Sequence, residues 1–174
     1  MNLKDFDYID SDKFKGKIIL TSFPGLNDKG IFEQSLFFLQ LDIFEKNNCS
    51  SITSFVEDSE FEKLCNKRFF VEKVYKNNLK WHHLPITDLL APNFDFNYKW
   101  ETTKVLLKNE LIDGHNIIFH CRGGIGRAGT IAAILLIDFG IDKKEAIELV
   151  RSKRKGAIET KKQEDFIFSY RATV

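Results

Sequence analysis

The residues whose types and spacing can do chemistry lie together in Asn116-Ile117-Ile118-Phe119-His120-Cys121-Arg122-Gly123-Gly124-Ile125-Gly126-Arg127-Ala128-Gly129-Thr130. An apolar run enters a glycine-studded turn and a long apolar segment follows, which predicts strand, tight loop, helix. Gly123, Gly124 and Gly126 leave no side chain in the way, so successive backbone N–H groups around Ile125 can converge on one anion. The helix opening near Arg127 adds unpaired amides and its positive dipole end, which makes phosphate the natural guest. Helix N-termini and nearby cations favour the thiolate form of a cysteine, so Cys121 at the loop's mouth is the expected nucleophile. Arg127 supplies a planar fork able to grip two phosphate oxygens.

Glycine-rich strand-to-helix turns are common, and a lone cysteine is more often an inert, buried small hydrophobe. What distinguishes this loop is a joint pattern, His120 before Cys121, Gly124 three residues on and Arg127 six on. Displacing an alkoxide or phenoxide from a phosphate monoester needs in-line attack, charge stabilisation on the equatorial oxygens and a proton for the leaving oxygen. The loop meets the first two needs. Asp88, in a loop bounded by Pro85 and Pro92, is the candidate for the third, although a lone loop aspartate is commonly a turn former.

Other groups call for less. His82 and His83 adjoin Trp81 without a third ligand at useful spacing, and strand alternation puts them on opposite faces, so packing is expected rather than metal binding. Cys49 and Cys65 read as structural thiols, and neither a metal nor a cofactor is called for. The basic group Arg151, Lys153, Arg154, Lys155, Lys161 and Lys162 reads as a solvated helix end. Arg122, inside the loop itself, favours an anionic or multiply phosphorylated substrate.

The elements that must position these residues follow from periodicity. Short buried strands are predicted at residues 17–21, 51–56 and 79–84, besides the one leading to Cys121. Helices are predicted at about 30–46, from Asp58 in a single run to Tyr75, at 98–111 and at 131–139, the last apolar almost all round and therefore central. Asp142 caps a further helix, and Thr160-Lys161-Lys162-Gln163 is a capping box opening the last one. Strands alternating with helices predict a compact α/β single domain, a mainly parallel central sheet flanked by helices, with ligands at the C-terminal ends of the strands. Asp88 and Cys121 both follow strands and can share that edge. Residues 1–15 mix Asp, Lys and aromatics without period and read as an N-terminal arm packing through Phe6, Tyr8 or Phe14, leaving 16–174 as the domain.

A chain of 174 residues, 43% hydrophobic and 29% charged, suits one domain with a real core. Net charge is +1, so no global field marks a nucleic-acid or membrane binder. The N-terminus is unlike a secretory signal, and no window has the apolar length of an integral membrane segment. A cytoplasmic monomer is expected. Three cysteines without CxxC spacing argue against a disulfide framework or a zinc site.

The pattern His-Cys-x-x-Gly-x-x-Arg, met by His120, Cys121, Gly124 and Arg127, resembles the signature of cysteine-dependent protein-tyrosine and dual-specificity phosphatases, and within them the kinase-associated phosphatase (cyclin-dependent kinase inhibitor 3) family. Trp81-His82-His83-Leu84-Pro85-Ile86-Thr87-Asp88 resembles the His-Pro-Ile-x-Asp segment whose Asp is the general acid, which implies that role for Asp88. Gly156-Ala157-Ile158-Glu159-Thr160-Lys161-Lys162-Gln163 resembles the Gly-Ala-Ile-Gln-Thr-x-x-Gln segment beside the active site, and similarity runs from roughly Ile18 to Phe166. The resemblance implies a dual-specificity-phosphatase-like fold and hydrolysis of phosphotyrosine, and of phosphoserine and phosphothreonine, in a phosphorylated protein partner through a phosphocysteine intermediate. It implies no cofactor, and it gives His120, Glu159 and Gln163 supporting roles.

Two departures matter. Ala128 stands where the family has a Ser or Thr hydroxyl that eases departure of the Cys sulfur, and Thr130 is the hydroxyl nearby in sequence. Glu159 stands where many members have Gln to position the hydrolytic water, and a carboxylate there repels a phosphate dianion unless Lys161, Lys162 or Arg127 offsets it. Two rival readings follow: a phosphoinositide or inositol phosphate phosphatase, favoured by Arg122, and a binding module that captures a phosphorylated partner but scarcely turns it over.

Overall fold

Alternation along the central strands sorts the core into two layers, as the strand period of two requires. Ile18, Leu20, Ile117 and Phe119 point to one face, while Ile19, Ile52 and Ile118 point to the other. The computed structural model describes residues 6–172. Five strands, β1 (Asp7–Ser11), β2 (Phe14–Thr21), β3 (Cys49–Ser54), β4 (Lys80–His83) and β5 (Asn116–His120), make one sheet in the order β1-β2-β5-β3-β4. Pairing is parallel throughout except for β1, which runs antiparallel along β2.

Helices α1 (Gln34–Lys46), α2 (Asp58–Leu64) and α3 (Lys67–Lys76) cover one face through Phe37, Phe44, Phe61 and Phe70. Helices α4 (Phe94–Ile112), α5 (Gly126–Asp138), α6 (Lys143–Lys153) and α7 (Lys161–Ser169) cover the other. The expected α/β domain with a mainly parallel sheet is present. Helix α5 is buried from Gly126 through Ile137. Each fully buried Ile or Leu contributes about 1.5–3 kcal/mol, so the loop entering α5 hangs on one of the most firmly held elements of the chain. No helix among the described residues is long and apolar enough to cross a membrane.

Several boundaries differ from the sequence expectation, among them the start of α1, at Gln34 rather than near residue 30, and β3, at Cys49–Ser54 rather than 51–56. The segment read as an arm instead forms β1 and the start of β2, with Tyr8 opposite Ile19 and Ile9 fully buried; residues 1–5 lie outside the described part. One short edge strand with two apolar side chains among acids leaves little period to read, though Phe6 on Phe44 and Phe14 on Phe139 do pack as expected. The single run from Asp58 to Tyr75 is two helices, because Asn66 turns its side chain onto the Phe69 amide and caps a new start. Helix α4 begins a turn earlier than expected, at Phe94, capped by Asn93 through the Phe96 amide.

Candidate active site

Parallel strands β5 and β3 end side by side, and the segments that follow them converge. His120 closes β5, and the turn to Gly126 brings the chain back into α5. Gly124 adopts φ +67°, and a Cβ there would lie 2.2 Å from the Thr21 carbonyl, so only glycine fits. Its amide donates to Cys121 Sγ at 3.1 Å, and the Phe23 amide holds the Arg122 carbonyl at 3.0 Å. Cys121 is 3% exposed at the floor of a pocket of about 270 Å³, whose walls include Asp88, Leu89, Arg122, Arg127 and Glu159. Gly123, Ile125 and Gly126 complete the loop's share of that wall.

Arg127 is buried beneath the pocket and its fork is set from behind. Nη1 and Nη2 donate to the two carboxylate oxygens of Glu60 at 2.7 and 2.9 Å, and Nη1 also donates to the Ile86 carbonyl at 3.0 Å. Burial works against the Glu60 charge, but its bonds to Arg127 and the Glu57 amide outweigh that and hold the carboxyl below the usual carboxylate range. Burial likewise works against the Arg127 cation, and Glu60, with the charges of Cys121 and Asp88, more than offsets it and raises the guanidinium. Arg127 Nε is buried with no protein partner. A bidentate grip on an oxyanion needs such a free donor.

His120 acts on the loop through its backbone. A carbonyl can only accept, so Nδ1–H donates to the Cys121 carbonyl at 3.3 Å and Nε2 accepts from the Ser54 hydroxyl at 2.6 Å. Ser54 Oγ in turn accepts from Trp81 Nε1 at 2.9 Å. Full burial pushes His120 down to about 3, so the ring stays neutral and orients the Cys121 peptide without carrying charge.

Asp88 reaches the same pocket from the segment after β4. Its Oδ1 lies 3.0 Å from Arg127 Nη2, and the side chain is 60% exposed. The surrounding loop is pinned on both sides: Thr87 Oγ1 donates to Glu57, Thr160 Oγ1 to the Leu89 carbonyl, and Gln163 Nε2 to the Leu90 carbonyl. Leu89 at φ +61° and Ile158 at φ +59° hold left-handed backbone on either flank, a conformation that costs such side chains about 1–3 kcal/mol each. Arg151 steadies the second by donating to the Ile158 carbonyl.

Glu159 lines the pocket, and its Oε2 stands 2.9 Å from where a Cβ on Gly126 would lie, over the start of α5. Gln163 is fully buried, and its Oε1 accepts from the Glu159 and Thr160 amides while Nε2 reaches the Leu90 carbonyl, so its side chain braces the loop that carries Asp88 and caps α7. Ala128 is fully buried in the first turn of α5. Thr130 does not stand in for the missing hydroxyl, because its Oγ1 donates to the Gly126 carbonyl at 2.8 Å, inside its own helix.

Cys121, Arg122, Arg127, Asp88 and Glu159 thus share one pocket, while His120 and Gln163 sit behind it. Sequence reasoning missed Glu60, read only as part of an acidic helix start, and Ser54; Thr160 caps α7 as expected, and its bond to the Leu89 carbonyl is the part that was not foreseen. It also misread Arg154, which is not a solvated helix end: Nε and Nη2 donate to the Gly124 and Gly123 carbonyls. The available signal for Glu60 was that a buried arginine requires a carboxylate, and acids after neighbouring strands are the ones within reach. His83 stacks on Trp81 with ring centroids 5.1 Å apart, and no cluster of three metal-ligating side chains occurs among the described residues. Burial pushes Cys49 and Cys65 up to about 12, which makes them poor nucleophiles.

Comparison with known proteins agrees with this fold and shows the family. Residues 49–167 match the family model described as PTP-SAK, a Swiss Army Knife protein, DSP-PTPase phosphatase domain. Protein tyrosine phosphatase type IVA 3 of Bos taurus is 29% identical over 130 residues, covering 70% of this chain and 73% of that protein. Probable protein tyrosine phosphatase type IVA A of Dictyostelium discoideum is 26% identical over 137 residues, covering 75% and 81%. Among solved structures, kinase associated phosphatase with its catalytic-site cysteine substituted by serine superposes with a TM-score of 0.79 at 22% identity, over 93% of this chain and 90% of that one.

Proposed function

We propose a reaction for this chain, which belongs to the Swiss Army Knife DSP-PTPase phosphatase domain family and so to the cysteine-dependent protein-tyrosine and dual-specificity phosphatases: hydrolysis of phosphotyrosine, and of phosphoserine and phosphothreonine, in proteins. The observation that carries this reading is the convergence of Cys121, Arg127 and Asp88 on one pocket, with the Gly124 amide aimed at Cys121 Sγ. In the first step Cys121 Sγ forms a bond to phosphorus in line with the leaving oxygen, whose bond to phosphorus breaks as Asp88 gives it a proton. Arg127 Nε and the loop amides carry the equatorial oxygens. In the second step the Asp88 carboxylate takes a proton from water, the water oxygen bonds to phosphorus, and Sγ leaves as thiolate with release of inorganic phosphate. Glu159 faces the water's path and orients it, while Gln163 keeps the acid loop in register.

The test is hydrolysis of p-nitrophenyl phosphate by wild type and Cys121→Ser. Loss of turnover in the variant supports the reading, and equal rates overturn it.

Two observations favour variations on this reading. Arg122 is exposed at the pocket mouth, where a second phosphate would meet it, and this favours a phosphoinositide or inositol phosphate as substrate. A side-by-side panel of phosphopeptides and phosphoinositides separates the two. The buried Ala128, with Thr130 committed to its helix, favours slow release of phosphate from Cys121, and in the limit a module that binds phosphorylated protein more than it turns it over.

A further inference from the structure

The phosphate loop is oriented from outside. Three successive carbonyls, those of Arg122, Gly123 and Gly124, turn away from the pocket onto the Phe23 amide, Arg154 Nη2 at 2.8 Å and Arg154 Nε at 2.6 Å. In a trans peptide the C=O and the following N–H point in opposite directions, and the described residues hold no cis bond. Drawing those carbonyls outward therefore turns the Gly123, Gly124 and Ile125 N–H groups inward. One of them, Gly124 N–H, already lies on Cys121 Sγ. A cation on the carbonyl side also polarises each peptide and makes its N–H a better donor.

Arg154 is itself held. Its Nη1 donates to Asp7 Oδ2 at 2.6 Å, with the Arg154 side chain 22% and the Asp7 side chain 43% exposed. Asp7 opens β1, the antiparallel edge strand, where it pairs with Leu20. The preceding residue, Lys153, makes a second link to the same strand by donating to Asp10 at 3.0 Å. The N-terminal strand is thereby joined to the back of the phosphate loop through a single guanidinium.

We infer that Arg154, fixed by Asp7, is a positioning residue for the phosphate loop: it aims two peptide N–H groups at the bound oxyanion, and the N-terminal strand sets oxyanion affinity through it. This rests on the phosphatase reading for its relevance but not for its test. Tungstate, an inorganic oxyanion, reports the nest without turnover, and the ratio of Cys121 alkylation by anionic iodoacetate to that by neutral iodoacetamide reports whether the nest steers an anion to the sulfur. In the full chain, Arg154→Ala is expected to weaken tungstate binding about tenfold and to lower the alkylation ratio, the size expected for losing two charge-assisted bonds that orient the donors. Arg154→Lys, with a point charge in place of a fork, is expected to restore only part of the loss. Asp7→Asn keeps the strand and the arginine, and is expected to weaken binding about threefold, as removal of a half-exposed partner should.

Should Arg154→Ala fail to fold, Asp7→Asn carries the test alone. Tungstate affinity and alkylation ratio unchanged from wild type in whichever variants fold would overturn the inference. Absence of p-nitrophenyl phosphate hydrolysis by wild type, with tungstate binding still sensitive to Arg154 and Asp7, would instead overturn only the proposed reaction.

Discussion

Asp88 Oδ1 and Arg127 Nη2 stand 3.0 Å apart at the wall of one pocket. In the proposed reaction this contact couples the acid to the phosphate grip: a phosphate entering the pocket would compete with Asp88 for the guanidinium and free the carboxyl to face the leaving oxygen.

Asp88→Asn separates the two roles. It keeps the shape of the loop but removes the transferable proton, so kcat for phenyl phosphate, with its basic leaving group, is expected to fall about a hundredfold or more. A strongly activated aryl phosphate should lose far less, and tungstate should bind more tightly because a competing carboxylate is gone. Equal losses for both leaving groups would remove Asp88 from the acid role.

His120 yields a stability prediction with a defined sign. In the unfolded chain a histidine titrates near 6.5, whereas full burial pushes His120 down to about 3. Between those values the unfolded state binds a proton that the native state excludes. Its contribution is thus complete above about pH 6.5 and declines as pH falls toward 3, by about 1.4 kcal/mol per unit through that window. Urea unfolding of wild type and His120→Asn at several pH values checks this, and the variant should show the shallower pH dependence. Parallel profiles would contradict the neutral, buried ring.

Ala128→Ser places a hydroxyl in the first turn of α5, at the position where the family resemblance puts the group that eases departure of the sulfur in the proposed second step. Rapid-quench measurements are expected to show faster breakdown of the phosphoenzyme with little change in its formation. An unchanged breakdown rate would remove Ala128 as the cause of slow release.

How much of this was legible beforehand follows the range of each interaction. Cys121, Gly124 and Arg127 are read directly, because one turn between one strand and one helix encodes its own geometry. Asp88 was half legible: prolines define its loop, but only the fold brings that loop to Arg127. Glu60 and Arg154 were invisible as partners, since Glu60 meets an arginine 67 positions away and Arg154 meets carbonyls 30 positions away, with nothing local to mark either pairing. The partners of Gln163 were equally hidden, since its amide is occupied by the Glu159 and Thr160 N–H groups and by the Leu90 carbonyl, 73 positions away. The strand at Asp7–Ser11 escaped notice because an edge strand with one buried isoleucine has no period long enough to count.

In the proposed reaction a phosphoryl group passes through Cys121. Acid quenching of wild type during turnover of p-nitrophenyl phosphate, followed by peptide mass mapping, is expected to find one phosphoryl group on Cys121, with none in Cys121→Ala. Turnover with no phosphoryl group on Cys121, or with the group on another residue, would contradict it.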